Sequence, residues 1–255
     1  FTPGCLSLRC RALRGPSSSS HLKLDTQGPV EERYQILGRI AAGAMGQIYL
    51  ARARLADGRT TEVALKRIKP ELQKDRAFRE MFYDEIRVAS RMQHPNIIRL
   101  LEYGELDGSI FYAMELVPGI NLSDILREAF TKNERIPLEI ALSIGVRVLD
   151  ALDYAHNFAG EDGRALNLVH RDVSPQNVLL AFGGQVKLLD FGVTKAEGQL
   201  HQTQPGMIKG KLSYMAPEQI KSESVDERTD IFALGVVLYE AALLRHPFPG
   251  RTDPA

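Results

Sequence analysis

The sequence predicts an α+β protein in two parts: a five-stranded antiparallel sheet with one helix, then a mainly helical half. Three observations predict it. Short β-branched or aromatic runs split by Gly-containing turns begin at Tyr34. One helical pattern, Phe78 to Met92, interrupts them. After Val117-Pro118-Gly119 the apolar residues fall mainly at helical spacing.

The predicted strands are Tyr34 to Ile40, Gln47 to Arg54, Glu62 to Ile68, Ile97 to Tyr103 and Ile110 to Leu116. Phe78, Phe82, Ile86 and Ala89 give the intervening helix one apolar face. In the second part, Ser123 to Ala129 is a short helix. Pro137 to His156 is a long one with Pro in its first turn. Asp230 to Leu244 is apolar nearly all round and reads as a buried core helix. The expected divisions are a disordered tail over 1–30, a first lobe over 31–116 and a second over 117–255.

Composition sets limits. The 255 residues suffice for one large domain or two lobes around a cleft. Lys+Arg and Asp+Glu both number 32, which gives no electrostatic reason to expect nucleic acid or an anionic membrane as partner. Both cysteines, Cys5 and Cys10, lie in the N-terminal tail, so the core carries no disulfide and no Cys-based metal site, as in a reducing cytoplasm. No apolar run reaches the roughly 20 residues needed to span a bilayer. The chain starts at Phe1, not Met, and reads as a fragment. In the tail, Pro3, Gly4, Gly15, Pro16 and Ser17 to Ser20 break any periodicity. Arg9, Arg11 and Arg14, with no acid before Asp25, also fit a transit peptide, but disorder is the favoured reading.

Four groups of residues carry chemistry. Gly43 and Gly46 lie in Ile40-Ala41-Ala42-Gly43-Ala44-Met45-Gly46-Gln47-Ile48, between two strands. Glycines there let backbone N–H groups approach phosphate oxygens. Lys66 ends an apolar strand, where an ammonium is costly unless an anion meets it, and Glu85 on the next helix is a candidate partner. His170-Arg171-Asp172-Val173-Ser174-Pro175-Gln176-Asn177 is the most specific signal. Asp172 can accept a hydrogen bond from an incoming hydroxyl, and Asn177 offers a neutral oxygen to a metal. Asp190-Phe191-Gly192 follows at a spacing of 18 residues, after the predicted strand Gln185 to Leu189. A carboxylate there suits Mg²⁺, which prefers oxygen ligands and phosphate.

With these residues in this order, the chain resembles a eukaryotic-type (Hanks-type) serine/threonine protein kinase over about residues 34 to 250. Ala216-Pro217-Glu218 resembles the end of the family's activation segment. Asp230, with Phe232 to Gly235 after it, resembles the family's Asp that supports the catalytic loop from a buried helix. Tyr214 to Gln219 and Met114-Glu115 are similar to bacterial members, and the insert Gly160 to Arg164 points to a myxobacterial branch.

The resemblance implies ATP and Mg²⁺ as cofactors and a protein Ser/Thr hydroxyl as acceptor. It implies that Lys66, paired with Glu85, holds the phosphates. Asp190 and Asn177 hold Mg²⁺, and Asp172 positions the hydroxyl. Ile48, Ala64 and Leu179 enclose the adenine, with Met114 behind it, and Glu115 and Val117 offer it backbone groups. Ile40, Gly43 and Gly46 belong to the glycine turn over the nucleotide.

Two departures are read as one. The family's Lys two residues after the catalytic Asp is Ser174 here, and its Thr after the Gly that precedes Ala-Pro-Glu is Lys211. Lys211 is expected to supply the displaced ammonium and Ser174 the hydroxyl. Ala41 also replaces the first Gly of the turn and is expected to stiffen it. Arg171 is expected to bind a phosphorylated activation segment, with Thr203 as the site ahead of Thr194 and Ser213, through self-association and autophosphorylation. The alternatives are a pseudokinase, favoured by Ala41 and Ser174, and a small-molecule phosphotransferase, disfavoured by Ala-Pro-Glu. The second lobe reads as truncated. Glu218 is then expected to lack the Arg partner that a later helix supplies in the family, and the 230–244 helix to expose apolar surface.

Overall fold

The computed structural model describes residues 24, 29–43, 45–160, 162–191 and 212–248. The described residues form two compact units, one of those up to Asp75 together with Leu100–Gly119, the other of Arg76–Arg99 together with those from Ile120 onward.

The first unit is built on a five-stranded antiparallel sheet. Its strands are β1 (Tyr34–Ala42), β2 (Gly46–Arg54), β3 (Thr60–Ile68), β4 (Leu100–Leu106) and β5 (Ser109–Glu115), in the order β1-β2-β3-β5-β4. Alternation buries Ala51, Ala53, Val63, Leu65, Phe111 and Ala113 on one face. A helical turn, α1 (Val30–Arg33), precedes the sheet. Arg33 and Tyr34 both bond the Glu102 carboxylate at 2.6 Å. Leu24, within the stretch expected to be disordered, bridges to Leu55 and is buried. A short helix, α2 (Pro70–Gln73), sends Gln73 inward. Its amide donates to Ile68 O at 2.6 Å and accepts from Ile110 N–H at 2.7 Å, satisfying two backbone groups that would otherwise be buried unpaired.

The second unit opens with α3 (Arg76–Ala89), whose buried face is Phe78, Phe82, Ile86 and Ala89, as the sequence predicts. By its contacts this helix falls in the second unit, not with the sheet. There follow β6 (Gly119–Asn121), α4 (Leu122–Lys132), α5 (Leu138–His156), β7 (Val178–Ala181), β8 (Val186–Leu188), α6 (Pro217–Ile220) and α7 (Glu227–Leu243). Asn121 caps α4, its side chain accepting from Asp124 N–H, and Asp226 caps α7 through Arg228 N–H.

Two expectations are corrected. The apolar run Ile97 to Tyr103 is not one strand. Leu188 N–H donates to Asn96 O at 2.7 Å and Ile98 N–H to Leu188 O at 3.0 Å, so its start pairs with β8, and only Leu100 onward joins the large sheet. Helix α7 is not buried all round. Ala233, Leu234, Val236, Val237 and Ala241 are buried, whereas Ile231 and Leu243 are exposed. Among the described residues no helix is long and apolar enough to cross a membrane.

Candidate active site

In the first unit the pairing of β2, β3 and β5 gathers several predicted residues. Ile48 lies opposite Lys66, and Ala64 opposite Met114. Lys66 is only 7% exposed, with its ammonium 5.5 Å from the centre of the Tyr112 ring. Glu115 and Val117, at the end of β5 and just beyond it, are half-buried. Ile40 is exposed on β1. Ala41 sits near the end of β1, paired with Ile48, directly after an irregularity in the strand register between Arg39 and Ala41.

The glycine turn is tight. Gly43 N–H donates to Gly46 O at 2.8 Å, and Lys69 N–H donates to Met45 O at 2.8 Å, tying the turn to the end of β3. A Cβ on Gly46 would come 2.1 Å from Arg67 O, inside contact distance, whereas one on Gly43 meets nothing closer than 4.0 Å. Gly46 is therefore required by the close approach of two backbones.

The second unit positions the carboxylates. Asp230 on α7 is fully buried. It accepts from His170 N–H and Arg171 N–H at 2.7 Å each, and its Oδ2 lies 2.8 Å from His156 Nε2 on α5. Those bonds offset the desolvation of the carboxylate and fix the loop that leads to Asp172. Arg171 is held at φ +66°, a left-handed conformation that side-chain-bearing residues adopt at a cost.

Asn177 closes the loop. Its Nδ2 donates to Asp172 O and to Asp172 Oδ2, both at 2.8 Å, leaving Oδ1 as the acceptor of that amide. Leu189 N–H donates to Asn177 O at 2.8 Å, and Leu189 O lies 2.9 Å from His170 Nε2. Asp190 follows directly, at φ +56°. Phe191 is buried, with its ring edge-on to His170 at 4.5 Å. Asp172, Asn177 and the backbone leading to Asp190 thus form one bonded strap. Leu179 lies next to it on β7, paired with Lys187. An amide oxygen and a carboxylate are hard donors suited to Mg²⁺, so this donor set fits the ion.

Glu85 is half-buried on α3, beside the buried Ile86. Ser174 is 2% exposed, and its Oγ finds no hydrogen-bond partner among the described residues. Gly192, Thr194, Thr203 and Lys211 lie outside the described residues. Glu218, expected to lack the family's Arg partner, accepts instead from Thr229 Oγ1 at 2.7 Å, which holds its carboxyl below the usual range.

Sequence reasoning missed three supports. His156 and Gln219 both bond the loop, the first through Asp230 and the second through Arg171 O. Tyr214 donates to Glu240 Oε2 at 2.5 Å, and burial pushes its hydroxyl pKa up. His156 ends a long helix and Gln219 immediately follows Ala-Pro-Glu, and those positions were the available signals.

Comparison with known proteins agrees with this fold. The family model described as "Protein kinase domain" matches residues 34–255. The tyrosine-protein kinase MasK of Myxococcus xanthus is 44% identical over 222 residues, covering 87% of this chain and 34% of that protein. The serine/threonine-protein kinase PknA of Mycobacterium tuberculosis is 38% identical over 224 residues, 86% of this chain and 48% of that protein. PrkC of Bacillus subtilis, also a serine/threonine-protein kinase, is 33% identical over 223 residues, 88% of this chain and 32% of that protein. The chain thus spans a third to a half of the length of these relatives. The crystal structure of the Mycobacterium tuberculosis PknI kinase domain superposes with a TM-score of 0.66 at 32% identity, covering 89% of this chain and 81% of that one. The chain belongs to the protein kinase domain family, and is similar to its bacterial, eukaryotic-type members.

Proposed function

We propose that this chain transfers the γ-phosphoryl of ATP to serine or threonine hydroxyls of proteins, its own activation segment included. The observation that carries the reading is the strap in which Asn177 bonds both the backbone and the carboxylate of Asp172 while its own carbonyl holds the residue before Asp190. In this reading Asp172 receives the acceptor hydroxyl and orients its oxygen for in-line attack, taking its proton late. Asn177 and Asp190 hold Mg²⁺, which neutralises developing phosphate charge when bound. Lys66, supported by Glu85, holds the phosphates. Ile48, Ala64, Leu179 and Met114 enclose the adenine, and the backbone of Glu115 and Val117 bonds it. Ile40, Gly43 and Gly46 cover the triphosphate. Lys211 supplies the ammonium that Ser174 lacks, and Arg171 receives phosphorylated Thr203. Such a domain works in the cytoplasm, whether the full-length protein is free or membrane-anchored, and copies meet for phosphorylation in trans.

Tyrosine as acceptor is the second reading. It is favoured by the 44% identity to a relative named a tyrosine-protein kinase. Incubation with labelled ATP-Mg, with Asp172→Asn as control, followed by phosphoamino-acid analysis, separates the readings. Phosphoserine or phosphothreonine is expected. Phosphotyrosine alone supports the second reading, and label retained by Asp172→Asn counts against both.

A further inference from the structure

We propose that Gln219 is a positioning residue for phosphoryl transfer, acting through the carbonyl of Arg171. This rests on the phosphotransferase reading above but names a residue to which that reading gives no role. Gln219 is half-buried in α6, directly after Ala216-Pro217-Glu218. Its amide has two ends and both are used. Oε1 accepts from Ala216 N–H at 3.0 Å, and Nε2 donates to Arg171 O at 2.9 Å. One planar side chain therefore joins the segment that closes at Ala-Pro-Glu to the loop that carries Asp172.

The bond falls at the point where the loop most needs support. Arg171 sits at φ +66°, which persists only when its surroundings overdetermine it. Asp230 holds its N–H side at 2.7 Å, and Gln219 holds its C=O side. The Arg171 carbonyl belongs to the peptide unit whose nitrogen is that of Asp172, so fixing this carbonyl fixes the plane from which the Asp172 side chain leaves. Asp172 N–H in turn donates to His170 Nδ1 at 3.2 Å, within the same turn. Releasing the carbonyl lets the peptide rotate and takes the Asp172 carboxylate off its line with the acceptor. A seated 216–219 segment thereby becomes a condition for a correctly aimed Asp172.

Gln219→Glu separates the clamp from the cap. A carboxylate keeps an acceptor for Ala216 N–H but presents an oxygen, not an N–H, to Arg171 O. Two measurements are made on the chain: steady-state phosphorylation of a protein substrate, and backbone amide exchange at His170, Arg171 and Asp172. The expected result is a kcat lower by about tenfold or more, since misplacing a reacting group by 1 Å can cost about 10²-fold. KM for ATP-Mg stays within about twofold, the pattern of an interaction made in the transition state, and exchange at the three amides quickens. Gln219→Met, which removes both ends without introducing charge, should do the same and serves if the Glu variant does not fold. Unchanged exchange, or faster exchange with unchanged kcat, overturns the proposal. A wild-type chain without turnover would remove the phosphotransferase reading, and the positioning role with it; the exchange result then separates a clamp that merely shapes the loop from no clamp at all.

Discussion

Asp230 holds His170 and Arg171 by their backbone N–H groups, both at 2.7 Å, from a helix some 60 residues further along the chain. One carboxylate thus sets the entry of the loop that carries Asp172. Replacing it with Ala leaves two buried N–H groups and the His156 ring without their acceptor. Each unsatisfied buried group costs about 1–3 kcal/mol, so Asp230→Ala is expected to lose roughly 3–5 kcal/mol in a denaturant melt, with phosphorylation lost alongside. An Asp230→Ala chain that melts like wild type would refute this placement of the load.

The glycine turn contains one obligatory glycine and one optional one. Gly46→Ala drives a Cβ to 2.1 Å from Arg67 O, and backbone cannot move aside cheaply. A loss of about 1–3 kcal/mol is expected, the range for overpacking. Gly43→Ala, with open space to 4.0 Å, is expected to stay within about 0.5 kcal/mol. Paired thermal melts of the two variants check this, and equal losses would contradict it.

The Ser174 hydroxyl is buried without a partner among the described residues, so it contributes no bond there to the stability of the loop. Ser174→Ala is expected to be neutral or to stabilise by up to about 1 kcal/mol. Activity is a separate question. If Lys211 supplies the displaced ammonium, Lys211→Ala cuts kcat by about 10²-fold or more, and Ser174→Lys combined with Lys211→Thr retains activity. Undiminished turnover of Lys211→Ala would rule out the exchange of roles.

His94 sets a pH dependence. Burial lowers its pKa below 6.5; Asp150 opposes the shift and Lys187 adds to it, while the Tyr154 ring stacks on the imidazole at 5.0 Å. Its Nδ1 also accepts from Asn96 N–H at 3.2 Å, which requires that nitrogen unprotonated. The unfolded chain therefore binds the proton more tightly, and stability falls as pH drops through about 6.5. Melting temperatures between pH 7.5 and 5 should decline more steeply for wild type than for His94→Gln. Parallel profiles would assign the acid sensitivity elsewhere.

Much of this was legible in the chain because local signals agreed with the tertiary outcome. Gly turns and β-branched runs marked β1 to β3, and the Phe78, Phe82, Ile86, Ala89 spacing marked the buried face of α3. Asp230 was legible as support for the loop. What failed was apolar continuity. Ile97 and Ile98 look like the start of β4 because nothing local says that β8, some 90 residues later, will take their hydrogen bonds. Helix α7 has no apolar–polar contrast around its circumference, so apolar exposure was expected on it but which residues carry it, Ile231 among them, had no local signal. Gln219 and His156 act through geometry alone. Each is a common helix residue until its partner atom is in place.

The left-handed backbone at Arg171 separates chemistry from conformation at one position. Glycine there would relax the steric penalty in the folded chain but would widen the choices of the unfolded one, two effects of similar size and opposite sign. Any β-branched residue would suffer in the native state with nothing returned. Variation at position 171 is thus filtered by backbone shape before the guanidinium has been asked to do anything.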